Sequence, residues 1–569
     1  MKTKKPGSNG RISSMRMECL DCGWMDEFDP NVIGCAQCGS QWIEARYDYA
    51  KIEKKLIERL QRRPFDLWRY KELLPIRNHN TVLSMGEGGT PLIPAANLGM
   101  MLGCPNIYIK DERQGPTSSF KDRQAAVGVA GLKEAGITEA VLASTGNVAI
   151  AYSAYAARAG IKLWAFLTSL VPAEKMREVA IYGTQVIKVT ASYDKAKQVA
   201  AQFARQRGLY LERGARSIPS VEAMKTVAFE IAEQISALHQ DDIGTDSRTL
   251  WRTPDWYVQA VSGGLGPYGV QKGFSELMKM GLTDHIPAMA NIQTEGCSPM
   301  VHAWKQGLET AQPILSPRTH IATLSTGDPG RTYTLLNQRM QATGGGVFES
   351  VTDEEAFRAM HILAKMEGIS VEPAAAVAFA GLIKLVRAGV IKPDQVIVVN
   401  CTGHTMPIEK SILGEGWARN VVIPGKSQAE TPQEGLLAAL RRVTADRYPR
   451  ILIVDDTQDA RRLIRRILQA QGEYTIYEAS NGQDALQIAQ DELPDLIILD
   501  LMMPEVDGFK VLDQLKASPD TSPIPVIVVT AKELTSSEKQ RLEGQIHTLM
   551  QKGEFMNDDL MDEVRSLIK

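Results

Sequence analysis

The chain has 569 residues, more than one ordinary domain holds, and its length predicts about three or four domains. Its composition, 44% hydrophobic and 23% charged residues, is that of a globular protein. A formal net charge of -3 argues against a nucleic-acid-coating surface, and no apolar run is long enough to span a bilayer. We therefore expect neither nucleic acid nor a membrane as a partner.

The first 14 residues, MKTKKPGSNGRISS, are polar and basic and lack the apolar centre of a secretion signal. We expect a disordered tail here and a cytoplasmic location for the protein.

A cysteine cluster with the spacing C-x2-C-x12-C-x2-C follows between residues 15 and 48. It is formed by Cys19, Cys22, Cys35 and Cys38. Gly23 and Gly39 follow the second cysteine of each pair and allow the turn that points both thiolates at one metal. Four thiolates complete a tetrahedral zinc site without a position for water, so the sequence predicts a structural zinc ribbon with a docking or folding role.

Residues 49–415 alternate short β-branched runs with Ala-rich helical stretches such as 147–159. The runs predicted as buried strands are AVLAST (140–145), KLWAFLT (162–168), TQVIKVT (184–190), WYVQAVSGG (256–264) and QVIVVNCTG (395–403). This alternation predicts a doubly wound α/β architecture with parallel sheets, in two lobes at this length.

Three segments within this region carry candidate chemistry. Lys121 follows small hydroxyl residues and an aromatic at a predicted helix start, and a partly desolvated lysine there can hold an aldehyde cofactor as a Schiff base. The Ser144-Thr145-Gly146-Asn147 turn between a strand and a helix offers free N–H groups to an anion, although a plain helix cap has the same pattern. The glycines of Ser262-Gly263-Gly264-Leu265-Gly266 would let backbone amides approach a phosphate.

The run SSFKDR (118–123), with LWRYKELLPI (67–76) and SMGEGGTPLI (84–93) before it, resembles the threonine synthases. These are fold-type-II enzymes that depend on pyridoxal phosphate (PLP) and have a two-lobed, tryptophan synthase β-like fold. The downstream motifs stand in the family's order, so the resemblance extends over residues 49–415.

The resemblance implies a role for each motif. Lys121 would carry PLP and act as the acid/base, and Asn147 would bond the phenolic oxygen of PLP. Ser144, Thr145 and Gly146 would hold the substrate carboxylate. The PLP phosphate would lie on Ser262, Gly263, Gly264, Leu265 and Gly266. Thr402 would be the hydroxyl partner of the pyridine nitrogen.

The reaction implied by the resemblance converts O-phospho-L-homoserine and water to L-threonine and phosphate. The family also implies a homodimer and a small amino-acid substrate.

The stretch from Gly214 to Thr226 departs from the family pattern N-x-x-N-P-x-R-L-E-G-Q-K-T. Ser220 replaces the arginine that helps to grip the substrate phosphate, and loss of that bidentate cation removes a charge-assisted pair. Arg216 is a candidate replacement. The family's T-G-H-G-L-K-D ending is also altered here, to residues 402–407 (TGHTMP).

Two alternatives therefore stay open. One is a serine/threonine dehydratase-like PLP enzyme, and the other is a PLP-binding sensor in two-component phosphorelay signalling.

Residues 416–448 predict a linker, and α/β alternation begins again at 449 and continues to 569. Strands are predicted at RILIVDD (450–456), DLIILD (495–500), PVIVVT (525–530) and HTLMQ (547–551), with helices near 458–471 and 507–517. Asp455, Asp456 and Asp500 stand at the carboxyl ends of these strands, which meet at one edge of such a sheet. Clustered carboxylates suit Mg²⁺.

This segment resembles two-component receiver domains, which have a doubly wound, flavodoxin-like fold. The resemblance implies Asp500 as the phosphorylated residue, Asp455, Asp456 and Asp500 as Mg²⁺ ligands, and Thr530 and Lys552 as the switch pair. It also implies a histidine kinase or phosphotransfer protein as a partner. Gly553 and Leu549 depart from the pattern, Leu549 at the position of the switch aromatic. The fusion suggests that phosphorylation regulates the enzyme, with a sign that the sequence leaves open.

Overall fold

The structure is a computed structural model that describes residues 15–30, 32–168, 171–190, 192–238, 251–404, 449–471, 474–504, 506–532, 534–552 and 557–568. The predicted tail (1–14), the predicted linker (416–448), residues 405–407 and Gly553 lie outside these ranges. Contacts divide the chain into two compact units: residues 15–95, 106–360 and 370–404, and residues 96–105, 361–369 and 449–568. Among the described helices, none is both long and apolar enough to cross a bilayer.

The cysteine-rich segment forms a small antiparallel sheet with the order β2-β1-β3. Its strands are β1 (Met15–Cys19), β2 (Met25–Glu27) and β3 (Ile43–Tyr47). In β1, Met15, Met17 and Cys19 are buried and alternate with more exposed residues, as the period of two in a strand requires. The buried residues of this sheet join the same apolar core as Phe229 and Phe274 of the first unit.

The rest of the first unit contains two further sheets. Their strands are β4 (Leu92–Pro94), β5 (Ile107–Asp111), β6 (Glu139–Ser144), β7 (Lys162–Thr168), β8 (Gln185–Val189), β9 (Tyr210–Leu211), β10 (Trp256–Ala260), β11 (Ala288–Thr294), β12 (Gly346–Val351) and β13 (Ile397–Cys401). The larger sheet has the order β12-β11-β10-β13-β5-β4 and is parallel except for β4, and the smaller has the parallel order β8-β7-β6-β9. All five residues of β10 are buried, as expected for a parallel strand covered on both faces.

The helices of the first unit are α1 (Tyr49–Leu60), α3 (Lys121–Glu134), α4 (Asn147–Ala159), α5 (Ala173–Ile181), α6 (Tyr193–Arg207), α7 (Ile218–Leu238), α8 (Leu265–Lys279), α9 (Pro299–Lys305), α10 (Thr332–Ala342) and α12 (Pro373–Arg387). Helix α2 (Ala96–Leu102) belongs to the second unit, and α11 (Asp353–Glu367) is divided between the two units. The strands predicted from the sequence in this region are all present. Strand β7 and helix α4 have the predicted bounds, β6 lies one residue earlier than predicted, and β8, β10 and β13 are shorter than predicted.

The second unit contains a five-stranded parallel sheet with the order β15-β14-β16-β17-β18. Its strands are β14 (Arg450–Val454), β15 (Thr475–Ala479), β16 (Leu496–Leu499), β17 (Val526–Thr530) and β18 (Thr548–Gln551). The C-terminal helices are α13 (Gln458–Gln471), α14 (Gly482–Glu492), α15 (Gly508–Ala517), α16 (Ser536–Leu542) and α17 (Asn557–Leu567). This is the doubly wound arrangement that the strand and helix pattern predicts.

Candidate active site and acidic site

A cavity of about 570 Å³ lies at the carboxyl ends of strands in the first unit. Its lining brings together most of the predicted site residues, namely Lys121, Thr145, Asn147, Ser262, Gly263, Gly264, Leu265, Gly266 and Thr402. Ser144 and Gly146 are described but do not belong to this lining. The segments that contribute are far apart in sequence, so the fold assembles the site.

Lys121 is the first residue of α3 and follows a tightly held loop. The carboxylate of Asp122 accepts hydrogen bonds from the N–H (2.9 Å) and hydroxyl (2.6 Å) of Thr117, and Ser118 adopts a left-handed backbone with φ 56°. Such a conformation costs about 1 kcal/mol outside glycine, so these contacts hold the loop in its shape.

The amine of Lys121 lies 4.0 Å from the centroid of the Phe120 ring. Burial lowers the pKa of Lys121 to about 8, against the opposing effect of the Glu372 carboxylate. A substantial fraction of the amine is therefore neutral near pH 8, as a nucleophilic lysine requires.

The turn at residues 144–147 divides its side chains between two tasks. The hydroxyl of Ser144 is buried and accepts hydrogen bonds from Gly146 N (3.0 Å) and Ala149 N (3.1 Å), so it caps the start of α4. Thr145 and Asn147 face the cavity.

Asn147 belongs to a polar triangle that the sequence did not predict. Its amide donates to Glu372 (2.7 Å), and Lys175 donates to the oxygen of Asn147 (2.9 Å) and to Glu372 (3.0 Å). Glu372 could have been suspected from the sequence because it directly precedes the apolar helix α12. Lys175 lies on α5 and belongs to no sequence motif that would have predicted its role.

The glycine loop after β10 leads into the N-terminus of α8. Gly264 has φ 89°, and an added Cβ would lie 2.7 Å from Thr332, so only glycine fits there. At Gly263 a Cβ would meet only Thr326, at 3.7 Å, which means that the missing side chain keeps cavity space open. Gly264 at the N-cap has no side chain to cap α8, so among the described residues the first N–H groups of this helix are available to an anion.

Thr402 and Gln124 complete the lining near Lys121. Thr402 is buried, and its carbonyl accepts a hydrogen bond from Phe120 N (3.0 Å). The Oε1 atom of Gln124 is buried and has no hydrogen-bond partner among the described residues. An orphaned acceptor in a cavity wall fits a polar ligand.

The stretch from Gly214 to Thr226, which departs from the family pattern, contributes some residues to the cavity and not others. Ser220 is buried and donates to Glu212 (2.8 Å), which places it outside the cavity lining. Arg213 and Arg216 do line the cavity. Glu222 accepts a hydrogen bond from Lys225 (2.5 Å) in a buried network.

The four clustered cysteines converge as predicted. The Sγ atoms of Cys19 and Cys38 lie 3.6 Å apart, as do those of Cys22 and Cys35, and all four lie within 4.8 Å of one another. None forms a disulfide. A tetrahedron of thiolates around zinc has edges of about 3.8 Å, so the arrangement fits this metal.

In the second unit, Asp455, Asp456 and Asp500 each place a carboxylate oxygen within 4.8 Å of the others. The amine of Lys552 bonds Asp500 (2.5 Å) and Asp455 (2.6 Å). Burial lowers the pKa of Lys552, but the two carboxylates outweigh burial and raise it. Thr530, at the end of β17, is buried, whereas Leu549 is 39% exposed.

Comparisons with known proteins identify both units. Residues 83–403 match the family described as "Pyridoxal-phosphate dependent enzyme". The chain is 35% identical over 392 residues to a protein of Methanocaldococcus jannaschii named threonine synthase, a match that covers 68% of this chain and 92% of that protein. The chain belongs to the threonine synthase family of pyridoxal-phosphate dependent enzymes.

A second relative and a solved structure are also similar to this chain. A threonine synthase of Methanosarcina acetivorans is 33% identical over 398 residues, covering 70% of this chain and 93% of that protein. Among solved structures, the processed threonine deaminase isoform 2 of Solanum lycopersicum is 20% identical, with a TM-score of 0.46 over 57% of this chain and 81% of that one. The predicted α/β fold class, with a PLP-dependent enzyme domain and a receiver domain built on a five-stranded parallel sheet, is confirmed.

Residues 451–565 match the family described as "Response regulator receiver domain". The predicted fusion of a threonine synthase-like enzyme to a C-terminal receiver domain is therefore confirmed. A receiver domain implies a phosphorelay partner such as a kinase. The roles of the individual site residues stay predictions.

Proposed function

We propose that this chain converts O-phospho-L-homoserine and water to L-threonine and phosphate. The observation that carries the proposal is the cavity that combines Lys121, whose pKa is lowered to about 8, with an uncapped glycine loop, in a chain of this family. The reaction removes phosphate from Cγ and adds a hydroxyl group at Cβ.

Several residues would hold the cofactor. Lys121 would anchor PLP, and residues 262–266 with the α8 N-terminus would receive its phosphate. Asn147 would bond its phenolic oxygen, and Thr402 would bond its pyridine nitrogen. The space kept at Gly263 and the free N–H groups of α8 support this assignment. When bound, PLP supplies an electron sink that acidifies the C–H bonds of the amino acid attached to it.

Side chains of the protein transfer the protons and orient the cofactor and the substrate. Lys121 takes and returns protons at Cα, Cβ and Cγ, and its lowered pKa suits both directions near neutral pH. The bonds of Lys175 and Glu372 fix the amide of Asn147, so its orientation is set before any ligand arrives. Thr145, with the N–H groups at the start of α4, would hold the substrate carboxylate, and Ser144 and Gly146 would shape that turn.

We assign a structural zinc ion to Cys19, Cys22, Cys35 and Cys38, and Mg²⁺ to Asp455, Asp456 and Asp500. The distances among the ligand atoms support both assignments. We further propose a homodimer, a cytoplasmic location consistent with seven free cysteines, and domains at residues 15–48, 49–415 and 449–569.

In the receiver domain Asp500 would accept the phosphoryl group from a histidine kinase or phosphotransfer protein. Lys552 already contacts Asp500 and would pair with the added charge, and Thr530 would bond a phosphate oxygen. We propose that this phosphorylation regulates the enzyme domain.

A second candidate is a dehydratase-like activity on serine or threonine. It is favoured by one observation, the burial of Ser220 where the family has a phosphate-gripping arginine. Release of 2-oxobutanoate from threonine would identify it. A PLP-binding sensor would instead bind the cofactor without turnover.

The test is an absorbance spectrum of the protein with PLP, followed by assays of phosphate and threonine after addition of O-phospho-L-homoserine. We expect a band of lysine-bound PLP and equal amounts of both products. A band without either product would contradict the synthase proposal.

A further inference from the structure

The zinc ribbon, defined as residues 15–48, lies at the wall of the catalytic cavity. Trp42, which directly precedes β3, belongs to the cavity lining. Leu20 and Trp42 pack on the same buried cluster as Leu265, the first residue of α8 in the predicted phosphate loop. The ribbon therefore contributes to the cavity rather than to a remote surface.

Three cavity-lining arginines of the enzyme domain bond to the ribbon. Arg331 forms an ion pair with Asp21, which stands between the two cysteines of the first pair. Arg213 donates to the carbonyl of Ile33 (2.6 Å), and Arg216 donates to the side-chain oxygen of Gln41 (2.8 Å). These contacts are held within one compact unit.

Arg331 has a carboxylate partner, whereas the hydrogen-bond partners of Arg213 and Arg216 on the ribbon are uncharged. Their ribbon partners are a carbonyl and an amide, so both are neutral, and the described residues place no carboxylate within ion-pair distance of either guanidinium. The Nε atom of Arg213 is buried and lacks a hydrogen-bond partner in the described part of the chain. Two neighbouring cations on a cavity wall with unused donors are suited to an anion.

Glu212, the carboxylate next to these arginines, is engaged elsewhere. It accepts hydrogen bonds from Ser220 (2.8 Å) and Gly214 N (3.0 Å). Burial raises its pKa, which favours the uncharged form and weakens it as a counter-ion. Burial, followed by the charge of Arg213, lowers the pKa of Arg216, as expected for a cation that lacks a negative partner.

We propose that Arg213 and Arg216, held by the zinc ribbon, bind the phosphate group of the substrate in place of the arginine that Ser220 replaces. The inference rests on the proposed function for the identity of the substrate. Under this proposal Arg213 and Arg216 select a phosphorylated substrate, and the zinc ribbon holds these two side chains in position. The carbonyl of Ile33 and the side chain of Gln41 each accept a hydrogen bond from one of the two guanidinium groups and hold it beside the ribbon.

The test compares Arg213→Ala, Arg216→Ala, Arg216→Lys and Gln41→Ala in the full-length, PLP-loaded protein, with Arg177→Ala as the matched control. Arg177 is exposed, and its ion-pair partner in the described part of the chain is Glu174 on the same helix. Two readouts are taken: KM and kcat for O-phospho-L-homoserine, and the Kd of inorganic phosphate by calorimetric titration.

We expect each arginine-to-alanine change to raise KM and the phosphate Kd about ten- to hundred-fold, the range of one charge-assisted hydrogen bond or two, with a smaller change in kcat. Arg216→Lys keeps the charge and should fall between wild type and alanine. Gln41→Ala should raise KM several-fold, and Arg177→Ala should match wild type.

Unchanged KM and unchanged phosphate affinity in both alanine variants, with wild-type thermal unfolding, would overturn the inference. If the wild-type protein does not turn over O-phospho-L-homoserine, the proposed function fails, and the phosphate titration still decides the arginine site. Weaker phosphate binding in Arg216→Ala would then support it, and no phosphate binding by the wild-type protein would overturn it.

Discussion

At the scale of single residues, Lys121 has the properties that a cofactor-bearing amine needs. Its position at the start of α3 is held by the contacts of Asp122 with the preceding loop, and its amine lies against the Phe120 ring. Burial lowers its pKa to about 8, far below the ordinary value for a lysine. The neutral amine is the form that attacks an aldehyde, so this shift has a kinetic consequence.

We predict that PLP attaches to cofactor-free protein at a rate that rises with pH and levels off above about pH 8. The neutral fraction of Lys121 grows as the pH passes upward through the pKa, so an unshifted lysine would still be gaining rate near pH 10. The measurement is the growth of the absorbance band after mixing with PLP at a series of pH values.

The matched control for this experiment is Lys133→Ala, which changes an exposed lysine on the same helix. It should leave the band unchanged, whereas Lys121→Ala should abolish it. A band of normal intensity in Lys121→Ala would show that another lysine carries the cofactor.

At the scale of elements, strand β3 ties the ribbon to the enzyme domain. Tyr47 donates to Glu222 on α7 (2.9 Å), Lys272 on α8 donates to the carbonyl of Ala45 (2.8 Å), and Tyr268 bonds Glu44. All of these groups are buried. A buried carboxylate that loses a hydrogen-bond donor keeps its desolvation cost. Single substitutions here should therefore lower the free energy of unfolding.

We predict that Tyr47→Phe lowers the free energy of unfolding by about 1–3 kcal/mol, because Glu222 loses a buried hydrogen bond. Denaturant unfolding followed by intrinsic fluorescence measures this change. Tyr182→Phe, at a half-buried tyrosine, is the control and should cost less. Equal stability of Tyr47→Phe and wild type would show that the bond contributes nothing.

In the receiver domain the relevant element is the edge of the sheet where β14, β16 and β18 end. Asp455, Asp500 and Lys552 meet there. We predict that a small phosphodonor such as acetyl phosphate, with Mg²⁺, adds one phosphoryl group per chain, visible by intact mass. Asp500→Asn or removal of Mg²⁺ should abolish the addition.

The control for phosphorylation is Asp484→Asn, at an exposed acidic residue on α14. It should accept phosphate as the wild type does. Phosphorylation that persists in Asp500→Asn would place the acceptor elsewhere.

The sequence predicted the elements well because each carries a strong local signal. The apolar runs of β10 and β13 and the helical spacing of α4 identify buried parallel strands and a packed helix without any tertiary information. The paired cysteine spacing likewise predicts four converging thiols, which the distances bear out.

The remaining contacts depend on packing between distant segments. The triangle of Asn147, Lys175 and Glu372 joins three helices, and no spacing rule relates their positions. The contacts of Arg213 and Arg216 with the ribbon are of the same kind, because they follow from where the ribbon packs. The sequence left two interpretations of the turn at Ser144 open, an anion site and a plain helix cap; its hydroxyl bonds the start of α4, and its role towards a substrate stays a prediction.

At the scale of the whole molecule, the chain joins a threonine synthase-like enzyme to a receiver domain. Regulation requires that phosphorylation at Asp500 changes the free energy of substrate binding or of turnover, and this coupling can be measured directly.

We predict that a phosphodonor with Mg²⁺ changes the kcat/KM of the wild-type protein about five-fold or more, the lower range of typical couplings, and leaves Asp500→Ala unchanged. Steady-state assays with and without the donor measure this effect. If wild type and Asp500→Ala have the same kcat/KM with and without the donor, although the mass shows that the wild type is phosphorylated, a regulatory role is contradicted.

The most direct test of the central claim is product analysis of the PLP-loaded protein with O-phospho-L-homoserine. The account predicts that phosphate and L-threonine form in equal amounts and that Lys121→Ala forms neither. Phosphate release without threonine, or a bound cofactor with no release at all, would contradict it.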